Sequence, residues 1–118
     1  MTLLAAPPQS APPVTHWSEA EQAVARSAFD LARRREAALL LETVQQHSAS
    51  ATDLDAIWQL HDYLSARRFE HEGKYVFDLD DILFLFASNL KDGVLAASEL
   101  EGLSADKIAK IIALSKMA

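Results

Sequence analysis

The sequence has 118 residues, which is room for one domain, and its formal net charge of −6 gives no electrostatic basis for holding nucleic acid or anionic lipid. It contains no cysteine, which excludes disulfides, thiolate nucleophiles and iron–sulfur clusters. The longest strongly apolar run, Ile82–Ala87, is far shorter than the ~20 residues of a membrane-spanning helix, and Met1–Ala6 lacks the basic region of a signal peptide. We therefore expect a cytoplasmic protein that does not bind a membrane.

Proline and glycine divide the chain into a short tail and a long helical part. All four prolines lie within residues 7–13, and there are only three glycines. This composition predicts a disordered Pro-rich tail at residues 1–16 and a single helical domain at residues 17–118. Within that domain the sequence predicts helices at about 18–47, 53–72, 79–92 and 104–117, with a short helical turn near 97–101.

Capping residues support these boundaries. Ser18 and Glu21 form a Ser-x-x-Glu capping box at the start of the first helix. Either Thr52 or Asp53 can cap the second helix, and Ser104 can cap the last one. Glycines stand where C-terminal helix caps are expected, at Gly73, Gly93 and Gly102.

One segment allows an alternative. Residues 75–77 and 82–86 are rich in β-forming side chains and are compatible with strands. No hairpin turn joins the two runs, and Gly93 is a suitable stop for a helix, so the helical interpretation is favoured.

The length of the first helix indicates that the chain needs a partner. A helix of about 30 residues spans about 45 Å, whereas a compact chain of this size has a diameter of about 35 Å. Its apolar positions need more cover than one compact monomer supplies, at Val24, Ala28, Leu31, Ala38 and Leu41. A homodimer is the simplest solution.

The third helix carries apolar residues on both sides. One stripe consists of Leu83, Phe86, Ala87 and Leu90. Phe84 and Leu85 point to the opposite side, which is compatible with either a core or an interface.

Patterns of catalytic and metal sites are missing from the sequence. There is no G-x-S-x-G elbow, P-loop or G-x-G-x-x-G, and no two histidines have the spacing of ligands on one helix. The acidic run Asp78–Asp81 lacks the glycine and glutamate of a calcium loop, so it reads as a solvated helix N-terminus. The basic run Arg33–Arg35 reads as a solvated face with local ion pairs. We expect no enzyme, no metal site and no nucleic-acid binding.

One arc of the second helix has the composition of an interface. At about 100° per residue, Trp58, His61, Asp62 and Arg68 fall within about 120° of one another. Tryptophan among histidine, aspartate and arginine is typical of interface hot spots, although a buried tryptophan beside an ion pair has the same pattern. The opposite arc carries apolar residues that suit a core face, namely Ile57, Leu60 and Leu64.

The run Trp58–Arg68, followed by Gly73-Lys74-Tyr75, resembles the most characteristic stretch of the fluorescence recovery protein family. Further similar segments extend over about residues 17–115, and include Trp17-Ser18 with Glu21, Arg35-Glu36, Thr43-Val44-Gln45, Phe84–Ala87, Leu103 and Asp106-Lys107. The resemblance implies an all-α fold in which long helices, here about 18–72, form an extended homodimer. It also implies a small C-terminal helical head, here about 75–117.

The resemblance also implies a function and a partner. Members of the family bind the photoactivated orange carotenoid protein, mainly through its C-terminal domain, and accelerate its red-to-orange reversion. This ends the quenching of phycobilisome fluorescence, and it requires no cofactor. Such acceleration is differential binding of a conformational intermediate and involves no covalent step.

Six positions correspond to functional residues of the family. Four functional residues on the second helix of family members match Trp58, His61, Asp62 and Arg68 of this sequence. The resemblance ties these four to the dimer interface and to activity. A phenylalanine and a lysine that contact the carotenoid protein in the family match Phe84 and Lys110 in the head. Core packing explains Phe84 equally well, and a solvated surface position explains Lys110 equally well.

The sequence also departs from the family pattern. Phe69 and His71 replace the more usual histidine and aliphatic residue, and an apolar and acidic stretch, Val76–Asp81, replaces a polar one. Because these changes lie beside the head, they bear on the choice of partner. The alternative is a dimeric helical protein of the same fold whose partner is different, in a bacterium without phycobilisomes.

Overall fold

The computed structural model describes residues 15–117 and is built from helices. The elements are α1 (Glu19–Ser50), α2 (Leu54–Lys74), α3 (Ile82–Lys91), a 3-10 helix (Ala97–Leu100) and α4 (Ala105–Ser115). Over the described residues there is no strand, so the all-helical prediction is confirmed and the strand alternative for residues 82–86 is wrong. Most of the predicted tail, residues 1–14, lies outside the described residues.

The helices begin at the predicted caps. The Ser18 hydroxyl accepts a hydrogen bond from the Glu21 amide at 3.0 Å, and the Glu21 carboxylate accepts one from the Ser18 amide at 3.3 Å, which completes the capping box. Of the two candidates for α2, Asp53 is the cap, since its Oδ1 accepts from the Ala56 amide at 2.8 Å. Ser104 caps α4.

Two boundaries differ from the prediction. Helix α3 begins at Ile82 and not near residue 79, because the Asp78 carboxylate accepts from the Asp80 amide and holds the preceding residues in a turn. Gly73 is not a cap, since α2 continues through it to Lys74. Gly93 and Gly102 do follow helices and have positive φ angles of 73° and 109°, as caps of this kind require.

A core forms where the first part of α1 meets residues 75–117, which we call the head. The buried apolar positions of α1 are Ala25, Ala28, Phe29 and Ala32. Their small side chains let the head approach closely, while Phe29 packs edge-on against Tyr75 and Phe77 with ring centroids 5.6 and 5.3 Å apart. The head contributes the larger share of the core, including Ile82, Leu83, Phe86, Leu95, Leu100, Leu103 and Ile111.

A buried ion pair fixes the N-terminus of α1 to α4. The Lys107 ammonium is fully buried and lies 3.1 Å from the Glu21 carboxylate, which also accepts from the Ser104 amide at 2.9 Å. Lys107 additionally donates to the His16 carbonyl and stands 4.6 Å from the Trp17 ring centroid. Burial raises the pKa of Glu21, but these hydrogen bonds outweigh it, so that the pKa lies below its usual value.

The rest of α1 and all of α2 form an antiparallel pair, which we call the hairpin (residues 33–74). Lys74 lies beside Glu36 and the Tyr63 ring stacks on His47 with centroids 6.4 Å apart, which sets the register. No residue of α2 is buried, although the sequence assigned Ile57, Leu60 and Leu64 to a core face. Leu60 and Leu64 are half-buried and Ile57 is 40% exposed, because among residues 15–117 no further element covers the pair.

The hairpin makes the molecule elongated. Helix α1 has 32 residues, which corresponds to about 48 Å. The radius of gyration is 19.6 Å, compared with about 13.5 Å expected for a compact chain of this length. Large apolar side chains of the hairpin remain exposed, at Leu39, Leu41, Leu54, Ile57, Trp58, Tyr63 and Phe69.

Candidate functional site

The helix-2 residues singled out in the sequence lie on the exposed surface of α2. The Trp58 side chain is 56% exposed, so the alternative of a buried tryptophan does not hold for the single chain. His61 Nδ1 lies 3.3 Å from Asp62 Oδ1, and Arg68 Nε donates to Glu72 Oε2 at 3.2 Å. All of these side chains are mostly solvated, so their ion pairs add little to folding. An indole beside exposed charges offers a partner both apolar area and polar contacts.

Phe69 extends this surface toward the head. It is 82% exposed, more than any other large apolar side chain of the described residues. Eleven residues after Trp58, it lies within about 20° of the tryptophan around the α2 axis. In the sequence, Phe69 is a departure from the family pattern and is not among the six candidate site residues. Its position on the Trp58 arc was the signal that it belongs to this surface.

Phe84 and Lys110 form a second group, on the head. Phe84 projects from α3 and is 56% exposed, on the side opposite the buried Leu83 and Phe86. The Lys110 ammonium, on α4, stands 6.0 Å from the Phe84 ring centroid, which is the outer limit of a cation–π contact. The core alternative for Phe84 therefore does not hold within the chain, and the two side chains share one patch of surface.

The six predicted residues thus occupy two separate places. Trp58, His61, Asp62 and Arg68 lie on α2 in the hairpin, whereas Phe84 and Lys110 lie on α3 and α4 in the head. A partner that contacts both groups has to span the connection between the hairpin and the head.

That connection contains an arginine whose role the sequence did not reveal. Arg35 makes a two-point ion pair with Glu99, with both N–O distances 2.7 Å, and donates to the Val94 carbonyl at 2.9 Å. The expectation of purely local ion pairs for residues 33–35 holds for Arg33, which lies 3.9 Å from Asp30, but is wrong for Arg35. The hydrogen bonds from Arg35 lower the pKa of Glu99 to about 2.

Glu36, the next residue, ties α1 to the end of α2. Its Oε1 accepts from the Lys74 ammonium at 2.6 Å and from the Tyr75 hydroxyl, which in turn accepts from Asn89 Nδ2 at 3.0 Å. Burial raises the pKa of Glu36, but the hydrogen bonds from Lys74 and Tyr75 outweigh it and hold it below its usual value. Burial and the Glu36 carboxylate raise the pKa of Tyr75, which keeps its hydroxyl protonated.

The described part of the chain contains neither a metal-binding group of side chains nor a helix that could span a membrane. Residues 15–117 hold no group of three or more histidine, aspartate or glutamate side chains placed to bind a metal ion. A cavity of about 340 Å³ is an open cleft between α1 and α2 whose walls include Leu39, Tyr63 and Arg67. Across the same residues, we find no helix with the length and apolar character needed to cross a bilayer.

Comparison with known proteins gives one consistent result. Residues 17–115 match the family model described as photoprotection regulator fluorescence recovery protein. A fluorescence recovery protein of Synechocystis sp. is 46% identical over 101 residues, which cover 86% of this chain and 93% of that protein.

Solved structures of two such proteins have the same fold. The fluorescence recovery protein of Fremyella diplosiphon aligns with a TM-score of 0.82 and 42% identity, and that of Synechocystis sp. with 0.82 and 45%. Each alignment covers 86% of this chain and all of the solved chain. The similarity therefore includes both the hairpin and the head.

Proposed function

Because this chain belongs to the fluorescence recovery protein family of photoprotection regulators, we propose that it binds the photoactivated orange carotenoid protein and accelerates its red-to-orange reversion. The action is non-covalent and ends the quenching of phycobilisome fluorescence. It takes place in the cytoplasm and requires neither a catalytic residue nor a cofactor. The proposal starts from the resemblance of the Trp58–Arg68 run and is supported by the surfaces that the fold exposes.

The observation that carries the proposal is the solvated surface of α2. Trp58 is half exposed beside His61, Asp62 and Arg68, and the fold within one chain leaves all four available for contact. Truncation of buried tryptophan and arginine at protein interfaces typically costs ~2 kcal/mol or more of binding free energy. In this proposal, the four residues serve dimer formation and activity.

The head supplies the second contact with the carotenoid protein. Phe84 offers an exposed ring, and Lys110 beside it offers a positive charge in a chain whose net charge is −6. Such a pair fits an apolar patch flanked by carboxylates, which is the surface we propose on the C-terminal domain of the partner.

A homodimer is part of the proposal. The hairpin has no buried residue on α2, and seven of its large apolar side chains remain in solvent. Burial of apolar surface stabilises association by about 25 cal/mol per Å². A second hairpin would provide that cover along the full length of the first one.

Acceleration follows from differential binding. A protein that binds the starting form of its partner and the transition state of the conversion equally well does not change the rate of that conversion. In this proposal, the candidate site residues on α2 and in the head bind a form of the carotenoid protein between red and orange. They bind this form more tightly than the red form. The barrier to reversion falls by that difference in binding free energy, about 1.4 kcal/mol for each factor of ten in rate.

A second candidate is a dimeric regulator of the same fold with another partner, in a bacterium without phycobilisomes. It is favoured by two of the side chains that depart from the family pattern, Phe69 and Val76, because their exposure leaves them available to a partner. Phe69 is 82% exposed and Val76 is 62% exposed, while Phe77 is folded inward against Phe29.

The test follows the dark recovery of purified, photoconverted orange carotenoid protein by absorbance, with sub-stoichiometric wild-type protein or with Arg68→Glu. We expect the wild type to accelerate recovery. Arg68→Glu should abolish the acceleration, because it places a like charge beside Glu72 and inverts the contact offered to the partner.

The matched control is Arg34→Glu, a charge reversal at an exposed arginine of α1. It should retain wild-type acceleration, and circular dichroism should show equal helicity in all three proteins. Wild-type activity in Arg68→Glu would remove this residue from the site. No acceleration by a folded wild-type dimer would reject the carotenoid protein as partner and leave the second candidate.

A further inference from the structure

Two consecutive residues of α1 hold the head to the hairpin. The Arg35 guanidinium reaches the 3-10 helix through Glu99 and the loop after α3 through the Val94 carbonyl. Both contacts lie more than 50 residues away along the chain. Because an arginine with two parallel bonds to a carboxylate has a fixed orientation, this contact defines an angle as well as a distance.

Glu36 fixes the other side of the same connection. Its carboxylate binds Lys74, the last residue of α2, and Tyr75, the first residue of the head. Tyr75 is buried and passes the contact on to Asn89 of α3, which is itself fully buried. We call the set Arg35, Glu36, Lys74, Tyr75, Asn89 and Glu99 the junction.

Apolar packing does not supply the same constraint. The buried part of α1 ends at Ala32, and α2 has no buried residue. From residue 33 onward the direction of α2 relative to the head is therefore not determined by a close-packed core. Hydrogen bonds are directional whereas the hydrophobic effect is not, so the polar contacts of the junction are the ones that can set this angle.

The junction lies between the two groups of candidate site residues. Trp58, His61, Asp62 and Arg68 precede it on α2, and Phe84 and Lys110 follow it in the head. Any rotation of the head about the end of α2 changes the separation of the two groups. The distance that a partner must span is therefore controlled at Lys74 and Tyr75, and these are held by Glu36.

We propose that Arg35 and Glu36 are positioning residues that set the separation between the α2 surface and the head surface, so that one partner molecule meets both at once. The consequence for activity rests on the function proposed above, whereas the geometric role does not. Contacts that are held in the binding geometry in advance avoid the entropy cost of arranging them on binding.

The geometric part is tested by a distance measurement. The chain has no cysteine, so labels can be introduced at Gln59→Cys on α2 and Ala109→Cys on α4, both exposed positions. Spin-labelled protein is diluted into an excess of unlabelled protein, so that pulsed electron paramagnetic resonance reports distances within one chain. The distribution is recorded for the parent, Arg35→Gln, Glu36→Ala and the control Glu42→Ala, an exposed glutamate further along α1.

We expect one narrow distance distribution for the parent and for Glu42→Ala. Both Arg35→Gln and Glu36→Ala should broaden or shift it while helicity and melting of the head are retained. Arg35→Lys should be intermediate, because lysine keeps the charge but not the two-point geometry. Unchanged distributions in Arg35→Gln and Glu36→Ala would overturn the proposal, whether or not the protein acts on the carotenoid protein.

The functional part is a titration of recovery rate against protein concentration. Glu36→Ala should raise the half-saturating concentration about tenfold, since holding two surface groups in place is worth roughly that much in binding, while Glu42→Ala should match the wild type. A wild-type half-saturating concentration in Glu36→Ala would overturn the link to activity. If the wild type itself does not accelerate recovery, the proposed function has failed, and the distance distributions still decide the role of the junction.

Discussion

In the head, Phe86, Leu100 and Ile111 are completely buried, whereas α2 has no buried residue and Trp58 stands 56% exposed. Both regions carry many apolar side chains, a larger share in the head than in the hairpin, and they use them differently. Residues 75–117 cover most of their apolar surface with one another and with the first part of α1, although Val76, Phe84 and Met117 stay exposed. The hairpin leaves its apolar surface open. The chain thus contains a region that forms a buried core and a region whose large apolar side chains stay exposed within one chain.

The largest expected effect comes from comparing the same kind of substitution, phenylalanine to alanine, at one position in each region. Phe29→Ala removes a 2% exposed ring that packs on Tyr75 and Phe77, and it should lower the free energy of unfolding by about 3–5 kcal/mol. Phe69→Ala removes an 82% exposed ring and should change the unfolding of the single chain by no more than about 0.5 kcal/mol. Urea unfolding followed by circular dichroism at low protein concentration measures both.

The dependence on protein concentration distinguishes stabilisation within one chain from stabilisation by association. The loss in Phe29→Ala should be the same at every concentration, because it arises within one chain. Any loss in Phe69→Ala should appear only where the chain associates. Equal, concentration-independent losses in the two variants would mean that the hairpin is stabilised within the monomer, contrary to its exposure.

The two tryptophans allow a second comparison of the regions. Trp58→Ala should weaken dimerisation by ~2 kcal/mol, about 30-fold in the dissociation constant, if the hairpin is the dimer surface. Trp17→Ala should leave the dissociation constant unchanged and instead destabilise the head, since Trp17 packs against the core and lies 4.6 Å from the Lys107 ammonium. Sedimentation velocity over a dilution series gives the constants. An unaltered constant in Trp58→Ala would exclude the α2 surface from the dimer.

The sequence was sufficient for what depends on neighbouring residues. The capping box at Ser18 and Glu21 and the cap at Ser104 are local hydrogen bonds, and both are where the sequence placed them. The buried stripe of α3 likewise follows from helical periodicity, which separates Leu83 and Phe86 from the exposed Phe84.

Features that depend on contacts between distant segments were not predictable in this way. Helical periodicity predicts which residues of α2 share a face, but not whether another element covers that face. It predicts a core face that includes Ile57 and Leu64, whereas α2 has no buried residue within one chain. The two-point contact of Arg35 with Glu99 joins residues 64 positions apart, and nothing local to the arginine run distinguishes Arg35 from Arg33. The resemblance marked Arg35-Glu36 and Lys74-Tyr75 as characteristic, and the structure adds that these two motifs are in contact.

Low pH should destabilise the contacts of the head and the junction. We expect this effect to be the smallest of those predicted. The pKa values of Glu21, Glu36 and Glu99 are all lowered in the folded chain, and each carboxylate contacts the head or the junction. In the unfolded chain these groups titrate near 4.5, so the folded chain binds fewer protons below that pH. Their stabilising contribution is therefore complete above about pH 4.5 and is lost as pH falls through the lowered values, down to about 2 for Glu99.

Melting temperatures measured between pH 6 and pH 2.5 at constant ionic strength test this expectation. The wild type should lose thermal stability progressively below about pH 4.5. In Glu99→Gln the starting stability should be slightly lower and the decline below pH 4.5 shallower, because this variant lacks the carboxylate whose ionised form Arg35 stabilises. Parallel curves for the two proteins would show that the contact between Arg35 and Glu99 does not favour the folded state. The fixed connection between the head and the hairpin would then have to depend on Glu36 alone.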